Sequence, residues 1–376
     1  MINNRNRTVM SNLLALYDDY GQSVWIDQLE PRFFEDGVLR NLVSTGIRGL
    51  NISLSTFCAE LGTANTYDGV IRDLIQADHA IDLEQLYRWL LIQDVQAAAD
   101  MLEPVYDSSH GVDGYVSVAI SPHLAYDTAG TIKASQQLWR EIGRPNVLLK
   151  IPATPEGLPA VERLIAEGIN VDVVALFGIS RYCQVADAYL HGLDMNTDPA
   201  AVSSVTSFAV SGLDSKVDAL LKKLDAPEAK QLIGRIAVDN ASLIYSEFKM
   251  FFQGEIFKPY QTRNARPQRL LWTDTRNSDY VDVHYANDLI ATDTINAMSR
   301  QTLDAFQYHG ELRVSLEPQL GKARHDLHLL QEWGIDLGKV TDELEQEYIA
   351  RQVQDYDALL KTLEDKRNRV AKDFAG

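Results

Sequence analysis

One lysine stands inside an apolar run, Asn146-Val147-Leu148-Leu149-Lys150-Ile151-Pro152-Ala153-Thr154. Strand alternation puts Val147, Leu149 and Ile151 on one face and Leu148 and Lys150 on the other. Both faces are apolar apart from the lysine, as in a parallel strand covered on both sides. A lysine there loses hydration, which disfavours its ammonium form and lowers its pKa. The neutral amine is the nucleophile that attacks a carbonyl carbon. The competing reading is structural. The lysine would then reach solvent from a strand end, or form an inert buried ion pair with a carboxylate such as Asp172.

The elements that must hold Lys150 follow from the same alternation. Strand-like runs occur at Ser23–Asp27, Gly46–Ile52, Gly114–Ile120, the Lys150 segment, Asn170–Phe177, Val205–Ser211, Arg269–Thr273 and Thr294–Met298. Helical periodicity separates them, at Phe33–Val43, Ala129–Ile142, Arg181–Gly192 and Ala226–Phe252 among others. The segment Ile81-Asp82-Leu83-Glu84-Gln85-Leu86 reads as a helix start. This βα rhythm predicts a parallel sheet closed into a (β/α)₈ TIM barrel. An open doubly wound sheet is the runner-up, but no Gly-x-Gly-x-x-Gly follows the first strand. The whole chain, 1–376, reads as one barrel domain, with a helical excursion at about 67–102 and a helical C-terminal extension at about 299–376. The charged C-terminal helices read as an outer layer or a homo-oligomer contact. A barrel gathers its site at the C-terminal strand ends. That predicts Asp27, Ser53, Lys150, Asp172, Ser207 and Asp274 or a near neighbour together, with Ala119 at the third strand.

A net charge of −18 argues against nucleic acid and anionic membrane surfaces as partners, and leaves room for a small substrate. No apolar run approaches a membrane span, and the N-terminus lacks the core of a signal peptide, so the expected location is cytoplasmic. Cys58 and Cys183 show no metal spacing, and reduced thiols are expected. Asp107-Ser108-Ser109-His110 reads as a turn and His325-Asp326-Leu327-His328 as a solvated helix face, neither as a metal site. These spacings call for no metal.

The Lys150 segment, extended through Pro155-Glu156-Gly157-Leu158-Pro159-Ala160, resembles the Schiff-base segment of the longer bacterial transaldolases. So do Ala97-Ala98-Ala99-Asp100, Asp113-Gly114-Tyr115-Val116-Ser117, Ser121-Pro122-His123-Leu124-Ala125, Gly168-Ile169-Asn170-Val171 and Arg266-Pro267-Gln268-Arg269-Leu270-Leu271-Trp272. The resemblance spans nearly the whole chain. It implies class I aldol chemistry in an α/β barrel, with no metal or organic cofactor, in which a lysine forms an imine with a small carbonyl substrate, a ketose phosphate. Lys150 matches the imine-forming lysine and Asp27 the acid of the first strand. Other positions depart from the family pattern. Ala119 stands where a proton-transferring glutamate is expected. Ser53 falls in a turn, Asn51-Ile52-Ser53-Leu54, that normally carries a substrate-binding asparagine. Asp172 and Val174 replace an asparagine and a threonine. Gly178 replaces a serine, and Gly212 a phosphate-binding arginine. Ser207 resembles the family's phosphate serine, and Arg276 a second basic contact. Arg181 and Arg276 are the candidate anion contacts, although composition alone makes them surface charges.

These departures make the expected pocket roomier, more apolar and less cationic than a sugar-phosphate site. They predict altered substrate use, with two alternatives. One is an enzyme of specialised metabolism acting on a less polar, unphosphorylated carbonyl compound. The other is a silent barrel kept for binding.

Overall fold

The computed structural model describes residues 11–27, 37–63 and 65–372. Its strands are β1 (Gln22–Asp27), β2 (Ile47–Asn51), β3 (Tyr115–Ala119), β4 (Val147–Pro152), β5 (Val171–Leu176), β6 (Ser204–Ala209), β7 (Arg269–Thr273) and β8 (Thr294–Met298). All pair in parallel with their sequence neighbours, and β8 returns to β1 to close the barrel. This is the expected (β/α)₈ barrel, with helices between the strands and further helices after β8.

The barrel is filled, not hollow. Trp25, Tyr115, Leu148, Val205, Leu271, Ile295 and Ala297 pack together inside it. Gly49 of β2 makes room for the Trp25 indole, since a Cβ there would come within 2.4 Å of the ring. Leu148, one inward step below Lys150 on β4, is fully buried. That layer is the floor on which the lysine stands.

The N-terminal end is closed by charge. Asp113 accepts from Arg48 Nε at 2.8 Å, Arg269 Nη1 at 3.0 Å and Ser23 Oγ at 2.8 Å. Arg269 also donates to Ser23 Oγ and to the Thr294 carbonyl. Asp113 is fully buried, yet the two guanidiniums overcome desolvation and hold its pKa below the usual carboxylate value.

The helix start read at Asp82 is a capping box. Asp82 Oδ1 accepts from Gln85 N at 2.7 Å, and the Gln85 side chain accepts from Asp82 N. That helix, Leu83–Ser108, outruns the excursion read from periodicity, and a separate helix, Asp68–Ala77, precedes it. Other boundaries moved for local reasons. The helix expected from Ala226 to Phe252 is broken at Gly234, whose φ is +73°, and resumes as Ile236–Phe248. β6 ends at Ala209 because Val210 and Ser211 open the next helix, Val210–Leu221. The helix expected at Phe33–Val43 runs Val38–Ser44, and its first expected residues lie outside the described ones.

The largest correction concerns the helix Leu337–Lys372. It is neither an outer layer nor a free face. It crosses the C-terminal mouth of the barrel, packing against β5, the helix Leu54–Thr63, the helix Leu83–Ser108 and the helix Val210–Leu221. Lys366, 1% exposed, pairs with Asp68 at 2.7 Å and pins its far end. Among the described residues no helix is long and apolar enough to cross a membrane.

Candidate active site

Register sets the site. Ala119 of β3, Lys150 of β4 and Asp172 of β5 are consecutive Cα partners, so all three side chains share one level and one face of the sheet. Asp27 of β1 is partnered with Asn51 of β2 at the same end of the barrel.

Lys150 Nζ donates to the Ile52 carbonyl at 2.5 Å. No carboxylate is in ion-pair contact with it among the described residues. Burial pushes the Lys150 pKa down, against the pull of Asp172 and Asp27. Both acids respond in the matching direction. Burial raises Asp172, although Lys150 and two hydroxyls oppose the shift. Burial likewise raises Asp27, with a smaller push from Asp274 and a counter-pull from Lys150 and Asn51. All three groups are driven toward their neutral forms, which is the state an attacking amine and a proton-donating acid require.

The supporting contacts are short. Ser117 Oγ donates to Asp172 Oδ2 at 2.5 Å and Ser207 Oγ to Oδ1 at 2.6 Å. Asn51 Nδ2 donates to Asp27 Oδ1 at 2.7 Å, and its own Oδ1 is left unpartnered. Asp274, in the left-handed region at φ +51°, accepts from Ser211 Oγ at 2.6 Å.

Lys150 opens into a cavity of about 40 Å³ lined by Leu54, Ala119, Val174, Tyr348 and Ile349 among others. That is room for about three or four waters, at roughly 10–15 Å³ each. The roof comes from the Leu337–Lys372 helix. Ile349 packs with Ala125 and Ala175, and Tyr348 joins them. Ala175 reaches the roof because β5 bulges there: its φ is +60°, and the β5–β6 register shifts between Val173 and Leu176. The Tyr348 ring stands edge-on to Phe177 at 6.1 Å. Burial and the nearby carboxylates Asp172, Asp27 and Asp274 keep its phenol protonated.

The structure gathers some of the expected residues and separates others. Asp27, Ala119, Lys150, Asp172 and Val174 lie together. Ser207 is beside them, but its hydroxyl is engaged by Asp172, which leaves it turned from the phosphate role that the resemblance implied. Ser53 is not at the lysine. It caps the helix Leu54–Thr63, bonding Thr56 Oγ1 at 2.8 Å and Thr56 N at 3.3 Å. Arg181 also lies elsewhere. It pairs with Glu345 at 3.3 Å and lines a separate cavity of about 370 Å³ with Gly178, Asn240 and Thr341. Arg276 is exposed just past β7. Sequence reasoning missed Tyr348 and Ile349, which come from a helix that carries no strand-end signal.

The two glycines that replace expected side chains both face the roof. A Cβ on Gly178 would meet Thr341 Oγ1 at 2.8 Å, and one on Gly212 would meet Leu344 Cδ2 at 3.8 Å. The first position is closed to a serine unless Thr341 moves. The second tolerates a Cβ.

A profile of the Transaldolase/Fructose-6-phosphate aldolase family matches residues 24–363. The chain is 38% identical over 359 residues to Transaldolase 1 of Streptomyces coelicolor, covering 93% of this chain and 94% of that protein. It is 35% identical to Transaldolase 2 of a Nostoc strain, over 94% of this chain and 97% of that one. It is 34% identical to the transaldolase of Frankia alni, over 97% of this chain and the whole of that protein. The chain belongs to the transaldolase family. That is a family of transferase and aldolase enzymes, and the chain spans its members' length, so the roofing helix falls within the family match as far as residue 363.

Proposed function

We propose that this transaldolase-family chain performs class I aldol chemistry through an imine on Lys150, on a carbonyl substrate less polar and less anionic than a sugar phosphate. One observation carries the reading. The Lys150 amine is desolvated, bonded among the described residues to a carbonyl oxygen alone, and opens into a cavity whose other walls are largely apolar.

In this scheme Nζ bonds to the carbonyl carbon, and the carbonyl oxygen takes up protons and leaves as water. Asp27, raised by burial, holds a proton to give at that step. Once deprotonated it takes the proton of the substrate hydroxyl as the carbon–carbon bond breaks. The bonding pair passes to the imine, which becomes an enamine, and the enamine adds to an acceptor aldehyde. Asp172, held by Ser117 and Ser207, sits beside the lysine as a positioning group. Ala119 has no proton to exchange, so a contribution of about 10² to 10⁴ in rate is absent at that position. Gly212 supplies no guanidinium for a phosphate, and Arg276 is the remaining cation after β7.

A second reading, a silent barrel kept for binding, draws on Ala119 and the closed cavity. Borohydride trapping separates the two. Incubation with dihydroxyacetone, other small ketones and aldehydes, then reduction and peptide mass mapping, should place an adduct on Lys150. Failure to trap any carbonyl compound sinks the enzymatic reading.

A further inference from the structure

The cavity at Lys150 does not end the open space on that side of the barrel. A second, larger one of about 180 Å³ lies between the helix Leu83–Ser108, the helix Thr128–Ile142 and the roof. The two share Ala119, Ile120 and Ser121 as a common wall. Its interior is lined by Tyr87, Leu91, Leu124, Leu138 and Tyr356, of which all but Leu124 are buried. The Tyr356 ring stands edge-on to Tyr87 at 5.6 Å, forming an aromatic corner. The charged lining residues are Glu84, which is exposed, and Arg88, which is partly so. Glu84 is an anion, and the cation Arg88 is held by Glu141 at 3.4 Å.

We infer that this crevice receives an uncharged alkyl or aryl chain on the substrate whose carbonyl end is taken by Lys150. The inference rests on the imine reading for that carbonyl end. The lining disfavours an anionic tail, because Arg88, the one cation among the described lining residues, is paired with Glu141 and Glu84 stands beside it. This three-residue wall, Ala119 to Ser121, is what separates the two cavities. Ala119 is the register partner of Lys150, on an adjacent strand about 4.8 Å away. Its methyl is the lowest barrier that a side chain other than glycine can make. The proposed route for a chain on a Lys150 imine is over Ala119, the smallest side chain in that wall. Apolar burial then scales with chain length.

Straight-chain aldehydes from propanal to octanal test this directly. Nζ bonds to the aldehyde carbon, water leaves, and borohydride adds hydride to the imine carbon, fixing the adduct for mass analysis. The concentration giving half-maximal adduct on Lys150 should fall roughly threefold to fourfold per methylene until the crevice is full. Ala134→Phe and Gln137→Trp each fill the crevice from the helix Thr128–Ile142, away from the reacting residues. Either variant that keeps the wild-type melting temperature should flatten the series, with dihydroxyacetone trapping unchanged. Calorimetric binding of 1-octanol, which has no carbonyl, should be seen with the wild type and lost in the filled variants. A flat aldehyde series with intact dihydroxyacetone trapping overturns the inference. So does a series equally steep in the filled variants, or absence of 1-octanol binding. If no carbonyl compound is trapped but 1-octanol binds the wild type and not the variants, the imine reading fails and the crevice stands.

Discussion

The two ends of this barrel bury charge in opposite ways. At the N-terminal end Asp113 sits between Arg48 and Arg269, with Ser23 completing its shell, and its pKa falls. At the C-terminal end Asp172 is as fully buried as Asp113 and Lys150 and Asp27 are partly so, yet each moves toward neutrality. The backbone and the low-polarity surroundings are the same. The difference is contact. Asp113 touches its partners, whereas Lys150 bonds a backbone carbonyl while its acids are held by Asn51, Ser117 and Ser207. A buried charge that is fully paired holds structure together. A set of groups kept near the neutral point can exchange protons and attack.

That contrast can be broken from either end. The largest effect should follow Lys150→Ala, which removes all borohydride trapping while leaving the melting temperature nearly unchanged. Lys150→Arg should be equally inactive, because a guanidinium stays protonated and forms no imine. A strongly destabilised Lys150→Ala protein would mean that the two ends are alike.

At the other end Asp113→Ala should cost about 3–5 kcal/mol in denaturant unfolding, because two guanidiniums lose a buried partner. Trapping at Lys150 should survive wherever the variant is folded. Equal loss of trapping in the folded variant would show that the ends are coupled.

A smaller effect is expected for anion binding. Charged hydrogen bonds contribute about 1.5–3 kcal/mol, so a site without donors at Gly178 and Gly212 should hold fructose 6-phosphate roughly 100-fold more weakly than one with both. Gly212→Arg, whose Cβ fits beneath Leu344, should recover about tenfold in Kd. Gly178→Ser should not, because Thr341 occupies the space. Ordinary transaldolase turnover by the unaltered protein would defeat this expectation.

The pH dependence should differ in sign between the ends. Asp113 has a folded pKa below its ordinary 3.8, so its stabilisation is present above about pH 4 and is lost as pH falls through the depressed value. Asp27 and Asp172 have raised values. Their contribution is present below about pH 4 and is lost as pH rises through the folded pKa. Asp113→Asn should therefore remove part of the acid-side fall in melting temperature, and Asp172→Asn part of the fall on the other side. The imine-forming rate should persist well below pH 10.5, the ordinary lysine value.

The strands were readable because a covered parallel sheet demands continuous apolar runs, and each such run became a strand within a few residues. Lys150, Asp27 and Asp172 were readable for the same reason: a charge in an apolar run is conspicuous. Ser53 and Arg181 misled because polar residues near strand ends also cap helices and pair locally, as Ser53 does with Thr56 and Arg181 with Glu345. Tyr348 and Ile349 were hidden in a charged helix whose mean hydropathy gives no sign of what it covers. The bulge at Ala175 was equally silent, since alanine is not the residue expected at positive φ.

The roof has a consequence for the order in which the molecule is made. The last strand of the closed barrel ends at Met298, and the helix that covers Lys150 begins at Leu337. Synthesis at about 5–20 residues per second therefore leaves an interval of seconds between the two. During that interval the mouth lacks Tyr348 and Ile349, and water reaches the amine more freely. If the barrel closes in that interval, the proposed imine-forming lysine should be more hydrated and more fully protonated until the downstream helix docks. A nascent chain held before Leu337 should accordingly trap carbonyl compounds more slowly at neutral pH than the released protein does.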